Sequence, residues 1–158
     1  MGVSTNGQIC YGILLVDEIE LPWDDVDNDI DKWWLYEVLN YKNPFEIFDQ
    51  DGNWINGEKP PTTTVDEYYE TQKEYRKLHG GLPITMINSC SEDYPQWIVA
   101  IGETAKKAFR GSPVIFEPSS LVNGFEKERA NKILVKFCND YDLQYETEPA
   151  WYLSSYWG

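Results

Sequence analysis

An unbroken apolar run near the start of the chain most restricts the folds open to it. Residues 9–16, Ile-Cys-Tyr-Gly-Ile-Leu-Leu-Val, carry no charge and are rich in β-branched and aromatic side chains. This composition predicts a strand from Gln8 to Val16. Apolar side chains occupy both of its alternating faces, so both faces must be covered by other parts of the chain.

The remaining pattern predicts further helices and strands. Apolar residues at spacings of three and four predict helices over 29–40, 65–78 and from about 121 or 124 to 140, with Thr64 as cap of the second. Strands are predicted over 83–88, 96–101, 113–116 and 150–156, with a hairpin around Asp51-Gly52. Strands and helices do not alternate strictly along the chain. The predicted fold is α+β, one domain over residues 1–158, with a mainly antiparallel sheet of about five strands and three helices.

The last nine residues are expected to form an ordered strand beside the first one. They contain two Trp and two Tyr, and each large ring left in water forgoes about 2 kcal/mol of burial. A frayed tail would rarely carry so many aromatic rings.

Negative charge is concentrated at the two ends of the chain. Residues 1–31 hold eight acids and residues 139–158 hold four, and neither segment contains Lys or Arg. The two ends thus account for −12 of the net charge of −14. If the first and last strands are neighbours, the ends form one acidic face. That field repels phosphates, which argues against nucleic acid as a direct ligand and favours a basic protein partner.

An acidic face beside exposed aromatic rings is typical of a protein-binding surface, because rings supply contact area and charges steer encounter. The adjacent rings of Trp33 and Trp34 cannot both fit one narrow helical stripe. The candidate partner-binding residues are Asp17, Glu18, Glu20, Asp24, Asp25, Asp27, Asp29, Asp31, Trp34, Asp140 and Asp142.

Three widely spaced cysteines in a chain of this size indicate reduced thiols and a cytoplasmic protein. No apolar run approaches the roughly 20 residues of a membrane-spanning helix, so no membrane partner is expected. The oligomeric state is left open.

An enzyme is the alternative hypothesis. His79 is the only histidine, and a nucleophile and base formed by Cys90 with His79 is one version of it. A divalent ion bound by the clustered carboxylates is the other. The chain contains none of the common catalytic signatures, so no catalytic residue, metal ligand or cofactor is predicted. Lys106, Lys107 and Arg110 are interpreted as a solvated loop.

The resemblance of this chain to a known class of proteins rests on three short sequences. Cys-Tyr-Gly-Ile at 10–13, Leu-Pro-Trp-Asp-Asp at 21–25 and Leu-Ser-Ser-Tyr-Trp-Gly at 153–158 make this short acidic chain resemble small phage-encoded proteins. Some of these inhibit host defence, as anti-CRISPR and anti-restriction proteins do, and several imitate the charge of DNA. The resemblance implies a non-enzymatic phage protein in the host cytoplasm that engages a basic host protein, such as the nucleic-acid channel of a defence effector. It assigns no role to individual residues.

Overall fold

The apolar run near the N-terminus forms the strand around which the sheet is built. The computed structural model describes residues 5–24, 29–41, 65–79, 81–91 and 93–157. The strands and helices are β1 (Thr5–Leu14), α1 (Ile30–Trp33), α2 (Val65–His79), β2 (Ile84–Asn88), β3 (Trp97–Ile101), β4 (Lys106–Ala108), α3 (Lys127–Asp140) and β5 (Ala150–Trp157). The predicted α+β class, with a mainly antiparallel five-stranded sheet and three helices, is confirmed.

Strand β1 has neighbours on both sides. On one side Gly12–Leu14 pair with β3 and Gly7–Ile9 pair with β4, both antiparallel. On the other side β5 pairs antiparallel at eight positions, from Thr5 opposite Trp157 to Gly12 opposite Ala150. Strand β2 extends the sheet beyond β3 as an antiparallel hairpin. The expectation of an ordered C-terminal strand beside the first strand is therefore confirmed.

Both faces of β1 are covered along its middle, as its continuous apolarity predicts. On one face the buried Tyr11 donates a hydrogen bond from its hydroxyl to Asn131 of α3 at 2.6 Å. On the other face the buried Cys10 packs with Ile98 and Ala100 of β3. Residues 10–13 of β1 are all buried. The core thus lies on both sides of this strand.

Contacts divide the chain into two compact units, Met1–Asp24 with Pro83–Gly158, and Asp25–Leu82. The first unit contains the whole sheet and α3. In the second, α1 continues as a wider helical turn over Trp34–Val38. Three residues beyond this turn, the Tyr41 ring lies 4.6 Å from the ring of Tyr75 and so contacts α2. The prediction of one domain over 1–158 stays a prediction.

Two details of the predicted strands are wrong. The sequence predicts a strand over 113–116, but these residues are exposed and lie outside every helix and strand, with Ile115 97% exposed. A short strand forms earlier in the chain instead. This strand is β4, and it contains Lys106 and Lys107 of the cluster interpreted as a solvated loop. These two lysines pair with β1 through their backbone, so their charged side chains do not prevent strand formation. The predicted hairpin around Asp51 and the Thr64 cap lie outside the described residues.

Candidate acidic binding surface

The two acidic segments of the chain meet at one end of the sheet. Beyond β1, Leu15 forms an antiparallel bridge with Tyr145. The amide of Val16 donates to the carbonyl of Gln144 at 3.1 Å, and the amide of Glu146 donates to the carbonyl of Leu14 at 3.0 Å. Because this pairing is antiparallel, the residues after Val16 leave the sheet where the residues before Gln144 enter it.

Five of the predicted partner-binding residues lie at this end. We call them the acidic end: Asp17, Glu18, Glu20, Asp140 and Asp142. All five are exposed. Lys136 forms an ion pair with Asp140 at 2.5 Å on the exposed surface of α3. Surface pairs of this kind contribute little and leave most of the negative field in place.

The backbone at the acidic end turns through left-handed conformations. Glu18 has φ 56° and Asp142 has φ 54°. A residue other than glycine pays roughly 1–2 kcal/mol for this conformation. The first turn follows Val16 and the second precedes Gln144, so both lie at the same end of this antiparallel pair.

The other predicted partner-binding residues have structural roles or lie elsewhere. Asp24 closes a turn by accepting the Leu21 amide at 2.9 Å. Asp29 caps α1 by accepting the amides of Asp31 and Lys32 at 2.9 and 3.1 Å. Trp34 is half-buried beside the buried Trp33 in the second unit. Asp25 and Asp27 lie outside the described residues.

A cavity of about 540 Å³ adjoins the acidic end in the first unit. One wall is formed by residues 16–19, and the other by Cys90, residues 93–96 of the β2–β3 connection and Trp97 at the start of β3. The Gln96 side-chain amide donates to Asp17 Oδ1 at 3.2 Å, which joins the two walls. Tyr94 is 79% exposed and lies with Asp93 and Trp97 among the lining residues. The cavity therefore combines carboxylates, aromatic rings and a thiol.

Sequence reasoning missed this second wall. Asp93, Tyr94 and Trp97 follow Cys90 closely along the chain, yet only the fold places them opposite residues 16–19. The available signal was Tyr94-Pro95 in a polar turn between two predicted strands, since turn residues of this kind lie at the surface.

The residues of the enzymatic alternative belong to different units. Cys90 is exposed in the first unit, where its backbone amide donates to Asn88 Oδ1 at 3.1 Å. His79 is the last residue of α2 in the second unit, one residue beyond the predicted end of that helix, and its ring stacks on Tyr75 with centroids 4.2 Å apart. Pairing of Cys90 with His79 stays a hypothesis.

Among the residues that the structure describes, no three His, Cys, Asp or Glu side chains come together in a group able to hold a metal ion. Over the same residues, no helix combines the length and apolarity needed to cross a membrane. All three cysteines are free thiols, with Cys10 and Cys138 buried.

Comparison of the chain with protein-family models, with curated proteins and with solved structures finds no match in any of the three.

Proposed function

We propose that this chain is a non-enzymatic binding protein whose acidic end engages a basic surface of another protein. In line with its resemblance to phage-encoded inhibitors, the partner we favour is a basic host protein, such as the nucleic-acid channel of a defence effector. The binding protein would compete there with nucleic acid by presenting similar charge.

The observation that carries this proposal is the pairing of residues 14–16 with 144–146. It joins two stretches of the first unit, residues 5–24 and 139–157, which hold four acids each and contain no Lys or Arg. A protein that merely needs solubility does not require its negative charges to be concentrated at one place. Concentrated charge instead raises the association rate with an oppositely charged partner.

The nearest basic strand does not neutralise the acidic end. Lys106 and Lys107 lie on β4, beside Gly7–Ile9, at the other half of β1 from Leu15. At the spacing of residues in a strand, Ile9 and Leu15 are separated by about 20 Å of chain. That distance exceeds the roughly 8 Å over which charges act in physiological salt.

Capture from bacterial lysate with matched variants tests the proposal. The test variant carries Asp17→Asn, Glu20→Gln, Asp140→Asn and Asp142→Asn. The control variant removes the same charge elsewhere through Glu74→Gln, Glu103→Gln, Glu117→Gln and Glu128→Gln, all at exposed positions.

The proposal expects a basic protein to be retained by the wild type and the control but lost by the test variant. A double-stranded DNA oligonucleotide should compete for the captured protein, because both ligands would occupy the same basic surface. Equal retention by both variants, or capture that DNA leaves unchanged, would contradict the proposed charge mimicry.

A further inference from the structure

We infer that the cavity beside the acidic end accepts an arginine side chain of the basic partner. The inference rests on the proposed function and adds to it a specific contact. It is carried by the lining of the cavity, in which carboxylates, aromatic rings and aliphatic side chains face one space of about 540 Å³. Cavities of roughly 300–1,000 Å³ are the usual size of ligand sites in proteins.

The walls of the cavity are held by hydrogen bonds, so the space is preformed. On the β2–β3 side, the Ser89 amide donates to the Gln96 carbonyl at 2.8 Å. The Tyr94 amide donates to the Ser91 hydroxyl at 3.1 Å, and the Trp157 amide of β5 donates to the Cys90 carbonyl at 2.9 Å. Opposite them, the Leu15 amide donates to the Trp97 carbonyl at 2.9 Å.

The lining matches the two parts of an arginine side chain. Val16, Ile19 and Pro95 offer apolar surface for its methylene stem. Asp17, Glu18 and Asp93 offer carboxylates for its guanidinium, and the rings of Tyr94 and Trp97 offer faces on which that planar group stacks.

Other ligand classes fit this lining less well. A phosphate or carboxylate would be repelled by the three acids of the lining. A purely apolar group would take these carboxylates out of water without giving them a partner, which is costly. Lysine satisfies the charge, but its ammonium is a strongly hydrated point charge that lacks a planar face for stacking.

Cys90 provides a built-in reporter of occupancy. It lines the cavity and is exposed, whereas Cys10 and Cys138 are almost fully buried. Iodoacetamide should therefore alkylate Cys90 selectively in the folded protein, and mass spectrometry should detect a single adduct. A ligand seated in the cavity should slow this reaction by covering the thiol.

The experiment measures the rate of Cys90 alkylation in the presence of N-acetyl-arginine amide at millimolar concentrations. We expect a saturable slowing, about tenfold when the compound reaches about ten times its dissociation constant. N-acetyl-citrulline amide, which has nearly the same shape without the charge, should leave the rate unchanged, and N-acetyl-lysine amide should protect less. The slowing should be lost in an Asp17→Asn/Asp93→Asn variant and kept in a Glu103→Gln/Glu117→Gln control.

The inference is overturned if arginine amide gives no saturable slowing, or if citrulline or lysine amide protects equally well. Such a result would leave the proposed function standing, provided that the captured partner still distinguishes the acidic-end variant from its matched control. If arginine amide protects Cys90 but no basic partner depends on the acidic end, the cavity inference survives and the proposed function fails.

Discussion

The backbone amide of Tyr11 donates a hydrogen bond to the side-chain hydroxyl of Thr104 at 2.9 Å. This contact lies where the neighbours of β1 change from β3 to β4, across a tight turn over Gly102–Thr104. The same hydroxyl donates to the Ile101 carbonyl at 2.7 Å. The Thr104 hydroxyl thus supplies the acceptor for the Tyr11 amide at the point where β1 passes from β3 to β4.

Replacing Thr104 by Val should therefore destabilise the protein. The substitution keeps the shape but leaves the buried Tyr11 amide without its acceptor, which costs about 1–3 kcal/mol. Thr104→Ser retains the hydroxyl and should lose less. Urea unfolding of the three proteins checks this, and equal stability of the Val and Ser variants would refute the bridging role of the hydroxyl.

Gly12 should tolerate no side chain. A Cβ at this position would lie 2.4 Å from the Val99 carbonyl oxygen and 2.7 Å from Ile98 Cγ2. Since a backbone atom blocks the space, Gly12→Ala should cost about 1–3 kcal/mol of unfolding free energy. Gly7→Ala is the matched control on the same strand, because an added Cβ there meets nothing within 4 Å. If both variants unfold at the same denaturant concentration, the predicted clash of a Cβ at Gly12 with β3 is wrong.

Stability should fall at alkaline pH. Burial raises the pKa of the Cys10 and Cys138 thiols from their ordinary 9.0 to about 11. A raised pKa in the folded state favours the protonated thiol, so this contribution is complete below pH 9 and is lost as the pH rises through about 11. Burial also raises the pKa of the Tyr11 hydroxyl, so deprotonation of this group adds a further loss of stability at higher pH.

Urea unfolding from below pH 9 to about 11, in a Cys90→Ala background that limits disulfide exchange, measures this dependence. A Cys10→Ala/Cys138→Ala variant should be less stable at neutral pH, because two buried side chains become smaller. Its stability should nevertheless decline less steeply with pH. An unchanged slope would show that the two thiols do not titrate differently in the folded and unfolded states.

Removal of residues 150–158 should abolish cooperative folding instead of trimming a tail. Strand β5 pairs with β1 at eight positions, and its Trp151 ring lies 5.4 Å from the ring of Tyr11. Leu153→Ala serves as control, because Leu153 is 84% exposed and its replacement should change stability by less than about 0.5 kcal/mol. Thermal unfolding followed by circular dichroism distinguishes the two, and a native-like cooperative transition in the truncated chain would contradict the role of β5.

The sequence predicts those strands whose own side chains require burial. Strand β1 is recognisable because its apolar run needs cover on both faces, and β5 because its aromatic rings need burial. The exposed segment around Ile115 shows the limit of this reasoning, since its apolar side chains suggest a strand but no partner pairs with its backbone among the described residues. Lys106 and Lys107 show the reverse, because they form β4 by continuing the path of β3 along β1.

The candidate site was predictable only in part. Charge counting along the chain identified the acids of both ends, and the expected pairing of the first and last strands brought Asp17 and Asp142 to one end of the sheet. The cavity beyond them depends on contacts between residues far apart in sequence, such as Gln96 and Asp17. No local pattern encodes that contact.

The salt dependence of partner binding tests the central claim most directly. The affinity of the captured basic protein should be measured over a range of salt concentrations for the wild type, the acidic-end variant and its matched control. We predict that affinity falls as salt rises, and that this dependence is markedly weaker for the acidic-end variant but unchanged for the control. The same affinity and the same salt dependence in all three proteins would contradict binding through the acidic end.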